Sequence, residues 1–283
     1  MFSREAGSIR RWRGGFRLLA IVVGIFGASV AQSANAQTDY YNTDAGRPVR
    51  IEDAYPTERY AFELQLAPVR LERARGGIYA WGVEPEIAYG MLPRTHLEIG
   101  VPVAHLDLPA GDSRTGVAGI EISALHNLNT ETTGLPAFAL AAQAILPVGE
   151  FGPDAVFPSV TALVTRTFPG IRVHANGQYT LGDEDDAGAS LELSRWLAGV
   201  AIDRALPLRS TLITAEAFAE QPLDEEADLV WTVGAGVRKQ RTPRLAIDAG
   251  FGRRLTGDEQ EWYVTAGATY AFSIRALMPG GGR

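Results

Sequence analysis

The chain of 283 residues contains no cysteine. That excludes disulfides and thiolate metal sites, so an exported form must find its stability in packing or in backbone pairing. Lysine is nearly absent as well: Lys239 is the one exception among 26 basic residues, the others being Arg. Histidine is scarce. The four present, His96, His105, His126 and His174, have neither HxxxH nor HExxH spacing, which argues against a zinc site. Apolar runs of about 20 residues, the mark of membrane helices, are missing beyond the N-terminus. Mean hydropathy is only −0.02.

The one long apolar run is "LLAIVVGIFGASVA", residues 18–31. Arg4, Arg10, Arg11, Arg13 and Arg17 precede it, and Ala34-Asn35-Ala36 follows as a small-x-small cleavage site. This is the layout of a secretory signal peptide covering residues 1–36, with a retained membrane anchor as the rival reading. Removing these five arginines and Glu5 takes the formal charge from −7 to −11. Such a chain lacks the dense positive charge that nucleic acid requires.

From about residue 58 the sequence is a series of ten-residue segments with period-two hydrophobicity, separated by turn residues. In the cleanest, Ile171, Val173, Ala175, Tyr179 and Leu181 alternate with Arg172, His174, Asn176, Gln178 and Thr180. Twelve strands are expected, at 59–69, 78–90, 95–106, 117–127, 136–146, 158–168, 171–181, 192–204, 210–219, 228–239, 244–254 and 261–272. Segment 192–204 also admits a helical reading, with Leu193, Leu197 and Val200 on one face. The connections alternate short and long, as the inner turns and outer loops of outer-membrane barrels do.

Alternation alone suits a soluble sandwich too. Two features favour a single antiparallel transmembrane β-barrel, an all-β fold of the outer-membrane type. Small and polar residues recur on one face of strand after strand, as a wet lumen requires. Aromatic residues (Tyr60, Trp81, Tyr89, Trp196, Trp231, Trp262, Tyr270) recur near strand ends, where interfacial girdles lie. A sheet in lipid must close, or its edges leave unpaired N–H and C=O groups in hydrocarbon.

That parity turns Glu63, Gln65, Glu84, Glu86, His96, Glu98, Arg172, His174, Asn176, Gln178, Arg195, Glu216, Arg238 and Asp248 into the lumen as candidate selectivity residues. Acids gather on the first three strands, Arg and His on later ones, so the two walls could set up a transverse field or pair and block the bore. The polar segment 37–57 is expected either in the lumen as a plug or in the periplasm. Residues 273–283 are expected as a periplasmic tail.

The last apolar stretch, "WYVTAGATYAF", reads as the closing strand. Gly267, Tyr270 and Phe272 resemble the C-terminal insertion signal of outer-membrane barrels. That resemblance implies the barrel-assembly machinery as a partner, beside outer-membrane lipid, lipopolysaccharide and a small-molecule solute. The chain from about residue 46 to 272 resembles the outer-membrane transporter family of the "MetA-pathway of phenol degradation". The likeness is carried by "GRPVRIEDAYPTERYAFELQLAP" (46–68), "PEIAYGMLPRTHLEIGVPV" (85–103), "GVAGIEISALHNL" (116–128), "PAFALAAQAILPVGEFG" (136–152) and "TAGATYAF". It implies a channel for hydrophobic or aromatic small molecules in the cell outer membrane.

Catalytic patterns are not found. His174-Ala-Asn176 invites comparison with outer-membrane phospholipases, but both side chains face inward and no Ser alternates with His174. "GDEDDAG" offers Asp183, Asp185 and Asp186 as calcium ligands, and reads better as a solvated loop. No cofactor is expected. The expected function is a passive channel. The alternative is a plugged structural or binding barrel, and a lipid hydrolase comes third.

Overall fold

The computed structural model describes residues 41–73, 79–107, 113–187, 193–224, 226–256 and 261–278. The signal-peptide reading of residues 1–36 falls outside them. Twelve antiparallel strands close into a barrel: β1 Ala61–Arg73, β2 Tyr79–Leu92, β3 in two parts (Thr95–Gly100 and Val103–Asp107) and β4 in two parts (Ser113–Val117 and Ile120–Asn127). The others are β5 Ala137–Leu146, β6 Phe157–Phe168, β7 Ile171–Thr180, β8 Ser194–Leu206, β9 Thr211–Pro222, β10 Val230–Thr242, β11 Leu245–Arg254 and β12 Trp262–Ser273. Each strand pairs with its sequence neighbours, and β12 pairs with β1 from Ala61↔Ser273 to Glu72↔Tyr263, so no edge remains.

Segment 192–204, open to a helical reading, is strand β8, laddered to β7 and β9. β1 runs past the expected end at residue 69. A register shift between Leu66 and Val69 inserts one extra residue, and Pro68, which has no N–H for the ladder, lies in this bulge. The shift brings Arg70 inward. The breaks in β3 and β4 face each other, with the Ala118 N–H donating to the Pro102 carbonyl at 2.8 Å. Gly119 holds a φ of +103° there, where a side chain would also meet Ile145 at 2.8 Å.

The two faces differ as the alternation requires. Leu66, Val160, Val200, Ile202 and Ile213 point outward and stay about half exposed, an arrangement favourable against hydrocarbon and costly in water. Trp81, Trp196, Trp231 and Trp262 all stand near the end of their strands that carries the long loops. At the opposite rim Phe62 stacks between Tyr89 (4.3 Å) and Phe272 (5.2 Å), with Tyr270 beside Phe272 at 6.3 Å. These two aromatic bands frame an apolar belt. The rim holding both ends of the wall also holds the tight turns at Pro93-Arg94 and Pro169-Gly170. There Arg94 and Gly170 adopt φ of 59° and 86°. We call it the inner rim.

Candidate functional site: the barrel lumen

Residues 41–60 form no strand of the wall. They run inside it. Arg47, Val49, Ile51, Asp53 and Ala54 are each at most 2% exposed. Their partners come from the inward faces of strands all round the barrel. The segment is folded back on itself: the Asp53 N–H donates to the Thr43 carbonyl (3.3 Å) and the Thr43 N–H to Asp53 Oδ2 (3.1 Å). Its tip, at Arg47–Ile51, reaches mid-lumen. The chain then descends to Tyr60, whose φ of 67° marks the corner where it swings into the wall. There the Tyr60 N–H donates to the Gly90 carbonyl at 2.7 Å.

Glycine on the facing wall makes room. A Cβ on Gly236 would lie 2.6 Å from Pro48 Cβ, and one on Gly250 only 2.0 Å from the Pro48 carbonyl oxygen. Alanines do the same opposite, where Ala54 packs with Ala137, Ala139, Leu125 and Leu163. Ile51 seats against Leu197, Ala201 and Phe218.

Arg172, His174 and Arg238 of the later strands pair with this segment or with their neighbours, whereas neither carboxylate oxygen of buried Asp248 has a hydrogen-bond partner among the described residues. Arg172 bonds Asp203 (2.6 Å) and lies 3.6 Å from Asp53; it also donates to the Tyr41 carbonyl. Arg238 meets Asp44 at 3.0 Å, and Arg47 meets the same carboxylate at 3.2 Å. His174 lies between Asp203 (2.9 Å) and Thr165 (2.9 Å), with all three side chains almost wholly buried. This Asp–His–Thr array resembles a catalytic relay in outline. Thr165 Oγ1, however, accepts the Ala54 N–H at 2.9 Å, which makes the array an anchor for the segment.

Of the side chains expected in the lumen, Glu84, Glu86, His96, Glu98, Asn176 and Gln178 line one cavity of about 300 Å³ above the segment. Gln65 is fully buried beside it and donates to Glu98 at 3.4 Å. Glu216 accepts the N–H groups of Arg50 and Ile51, and buried Asp248 lies near Arg238. Glu63 faces a separate recess at the inner rim with Arg59 and Arg94. Arg195 sits at the opposite end, donating to the carbonyls of Thr180 and Gly182. Gly267 faces inward opposite Asp248, while Tyr270 and Phe272 join the inner aromatic band.

Arg70, Glu121, Ser123, Gln143, Ser159 and Thr161, not among the residues expected in the lumen, line the same cavity. Strict alternation through β4 to β6 would have found all but Arg70, which depends on the β1 bulge. Asp44, Arg50 and Glu52, from the inner segment, line it as well. Burial, and then the carboxylates of Glu98, Asp44 and Asp53, push the Glu52 carboxyl up to about 8. Burial also pushes Asp44 up, but Arg47 and Arg238 outweigh it and hold that carboxyl below its usual range. At the inner rim Glu131 accepts bonds from the Thr167 N–H (2.7 Å) and the Tyr55 hydroxyl (3.2 Å), tying the segment's exit to the β4–β5 turn.

The sequence profile of the family described as "Putative MetA-pathway of phenol degradation" matches residues 74–272. A search of curated protein sequences finds no match. Among solved structures the fold is similar to the COG4313 outer membrane channel from Pseudomonas putida F1. There the TM-score is 0.54 at 13% identity, over 81% of this chain and 100% of that one. It is similar also to the KdgM porin in complex with disordered oligogalacturonate (TM-score 0.51, 9% identity, 75% of this chain and 99% of that one). At such identities the likeness is one of fold. The inner segment and β1 precede the stretch that the family profile matches.

Proposed function

The chain belongs to the family described as "MetA-pathway of phenol degradation", and on that premise we propose that it is an outer-membrane channel for the passive passage of small molecules, closed in its resting state by residues 41–57. One observation carries this reading: a closed wall, apolar outside and hydrogen-bonding inside, encloses a polar cavity, and among the described residues a short N-terminal segment is what obstructs it. The family implies hydrophobic or aromatic solutes. The lining of carboxylates, guanidiniums and amides adds a preference for solutes that carry hydrogen-bonding groups. Lipid and lipopolysaccharide surround the apolar belt, the closing strand with Tyr270 and Phe272 addresses the barrel-assembly machinery, and residues 1–36 direct export.

The reading of a permanently plugged structural barrel is favoured by the number of contacts the segment makes. Hydrolysis has no support in the lumen, because the Asp203–His174–Thr165 array is sealed beneath Ala54. Planar-bilayer recordings and liposome swelling separate the two surviving readings. The full chain should open rarely, and a variant lacking residues 41–57 should conduct steadily and admit small sugars and amides. A silent deletion variant that still shows the unboiled gel mobility of a folded barrel would overturn the channel.

A further inference from the structure

Beside the side-chain contacts of Asp53 with Arg172, Tyr55 with Glu131 and the Thr57 hydroxyl with His96, a set of wall side chains holds residues 50–57 by their main-chain atoms. Glu216 Oε2 accepts the N–H groups of Arg50 (2.8 Å) and Ile51 (2.9 Å). Asn176 matches both polar atoms of Glu52: Oδ1 accepts its N–H at 2.8 Å and Nδ2 donates to its carbonyl at 3.0 Å. Thr165 Oγ1 accepts the Ala54 N–H at 2.9 Å, and Asn127 Nδ2 donates to the Ala54 carbonyl at 2.8 Å. His96 Nδ1 accepts the Thr57 N–H at 3.1 Å. Seven bonds from five strands thus engage the main chain of residues 50, 51, 52, 54 and 57. A carboxamide that pairs with the N–H and C=O of one residue does what a neighbouring strand does, and it is indifferent to the side chain that residue carries.

The wall is built for this independently of the segment's sequence. A carboxylate only accepts, so the Nε2–H tautomer of His174 donates a hydrogen bond to Asp203 and leaves Nδ1 to accept one from the Thr165 hydroxyl. The Thr165 oxygen is then fixed with a lone pair facing the lumen, ready for a peptide N–H. Width is no obstacle, because the bore already holds two legs of chain side by side, joined by the Thr43–Asp53 bonds.

We propose that this row of side chains is a peptide-binding track, that residues 41–57 are its resident ligand, and that linear oligopeptides entering the open lumen bind there in their place. The proposal rests on the channel reading and names its solute class. Covalent attachment gives the resident segment an effective concentration of the order of millimolar, so competing peptides act only when it is displaced.

The test keeps the whole chain through folding. A protease site inserted between Glu58 and Arg59, both exposed at the inner rim, allows the folded protein to be cut and its segment dialysed away. Calorimetry then follows three synthetic peptides: residues 43–57, an unrelated uncharged peptide keeping the Ile-x-x-Ala spacing, and that same peptide N-methylated at the two amides matching Glu52 and Ala54. The first two should bind with affinities within about tenfold of each other. N-methylation, or Asn176→Leu in the barrel, should each weaken binding about tenfold or more. Binding of the native peptide alone, equal binding of the methylated one, or no binding at all overturns the track. Conductance of the cut barrel is recorded separately. A barrel that conducts without binding peptides refutes the track alone, and one that binds without conducting refutes the channel.

Discussion

Single glycines decide whether the lumen can hold its own N-terminus. Gly236 and Gly250 face inward on β10 and β11, where the alternation would otherwise place a side chain. Pro48 lies against both. Gly250→Val leaves the ladder intact, since Val suits a strand, but its Cβ would stand 2.0 Å from the Pro48 carbonyl oxygen and 2.8 Å from Thr265 Oγ1. Overpacking of this kind costs about 1–3 kcal/mol, enough to multiply the population with the segment withdrawn roughly 5- to 150-fold. Single-channel recordings of Gly250→Val should therefore resemble those of the deletion variant, while its unboiled gel mobility stays that of the parent. The glycines were visible in the sequence as inward positions. That they accommodate a particular proline could not be read there, because alternation specifies a face and not what lies against it.

The N-terminal segment as an element is held by polar contacts, so its seating depends on pH. Glu52 is surrounded by Glu98 on β3, by Asp44 and Asp53 of its own segment, and by Arg50; Asn176 of β7 holds its main chain. Its carboxyl, raised from 4.5 to about 8 when seated, binds a proton more tightly in the lumen than free in solution. Linkage then gives the sign. Seating is strongest below pH 4.5, weakens as pH rises towards about 8, and levels off above. Asp44, held below its usual range, opposes this trend only under still more acid conditions. The fraction of open time should climb across that window, and Glu52→Gln should flatten the climb. A flat profile in the parent would refute the assignment. The strands around this segment were legible one by one, since period-two alternation is a local property and each of the twelve pairs where it was expected. The segment itself carries no period. Its place in the lumen depends on partners more than 100 residues away, such as Thr165 and Glu216, which no local pattern reports. Arg70 escaped for a related reason: one bulge reversed the parity on which its face depends.

Charge at the scale of the whole barrel is sorted by wall. Inward arginines of the later strands are occupied, Arg172 by Asp203 and Asp53, Arg238 by Asp44. The cavity lining on β2 to β4 holds Glu84, Glu86, Glu98 and Glu121, with Arg70 of β1 beside them and Arg50 and Glu52 on the segment. When the segment withdraws, Asp44, Arg50 and Glu52 leave the lining together, so its four wall carboxylates face Arg70, while Arg238 loses Asp44 and Arg172 keeps Asp203. Low-dielectric walls concentrate the field of such a group within the water-filled bore. The open pore should therefore prefer cations, read as a reversal potential of the corresponding sign under a potassium chloride gradient in mildly alkaline buffer. Glu84→Gln combined with Glu121→Gln should shift that potential towards zero. The preference should also fade near molar salt, where the screening length falls to about 3 Å. An anion-selective open state would mean that arginines freed by withdrawal, Arg172 and Arg238 first among them, set the field instead; Arg172→Gln would then move the reversal potential where the glutamate changes do not.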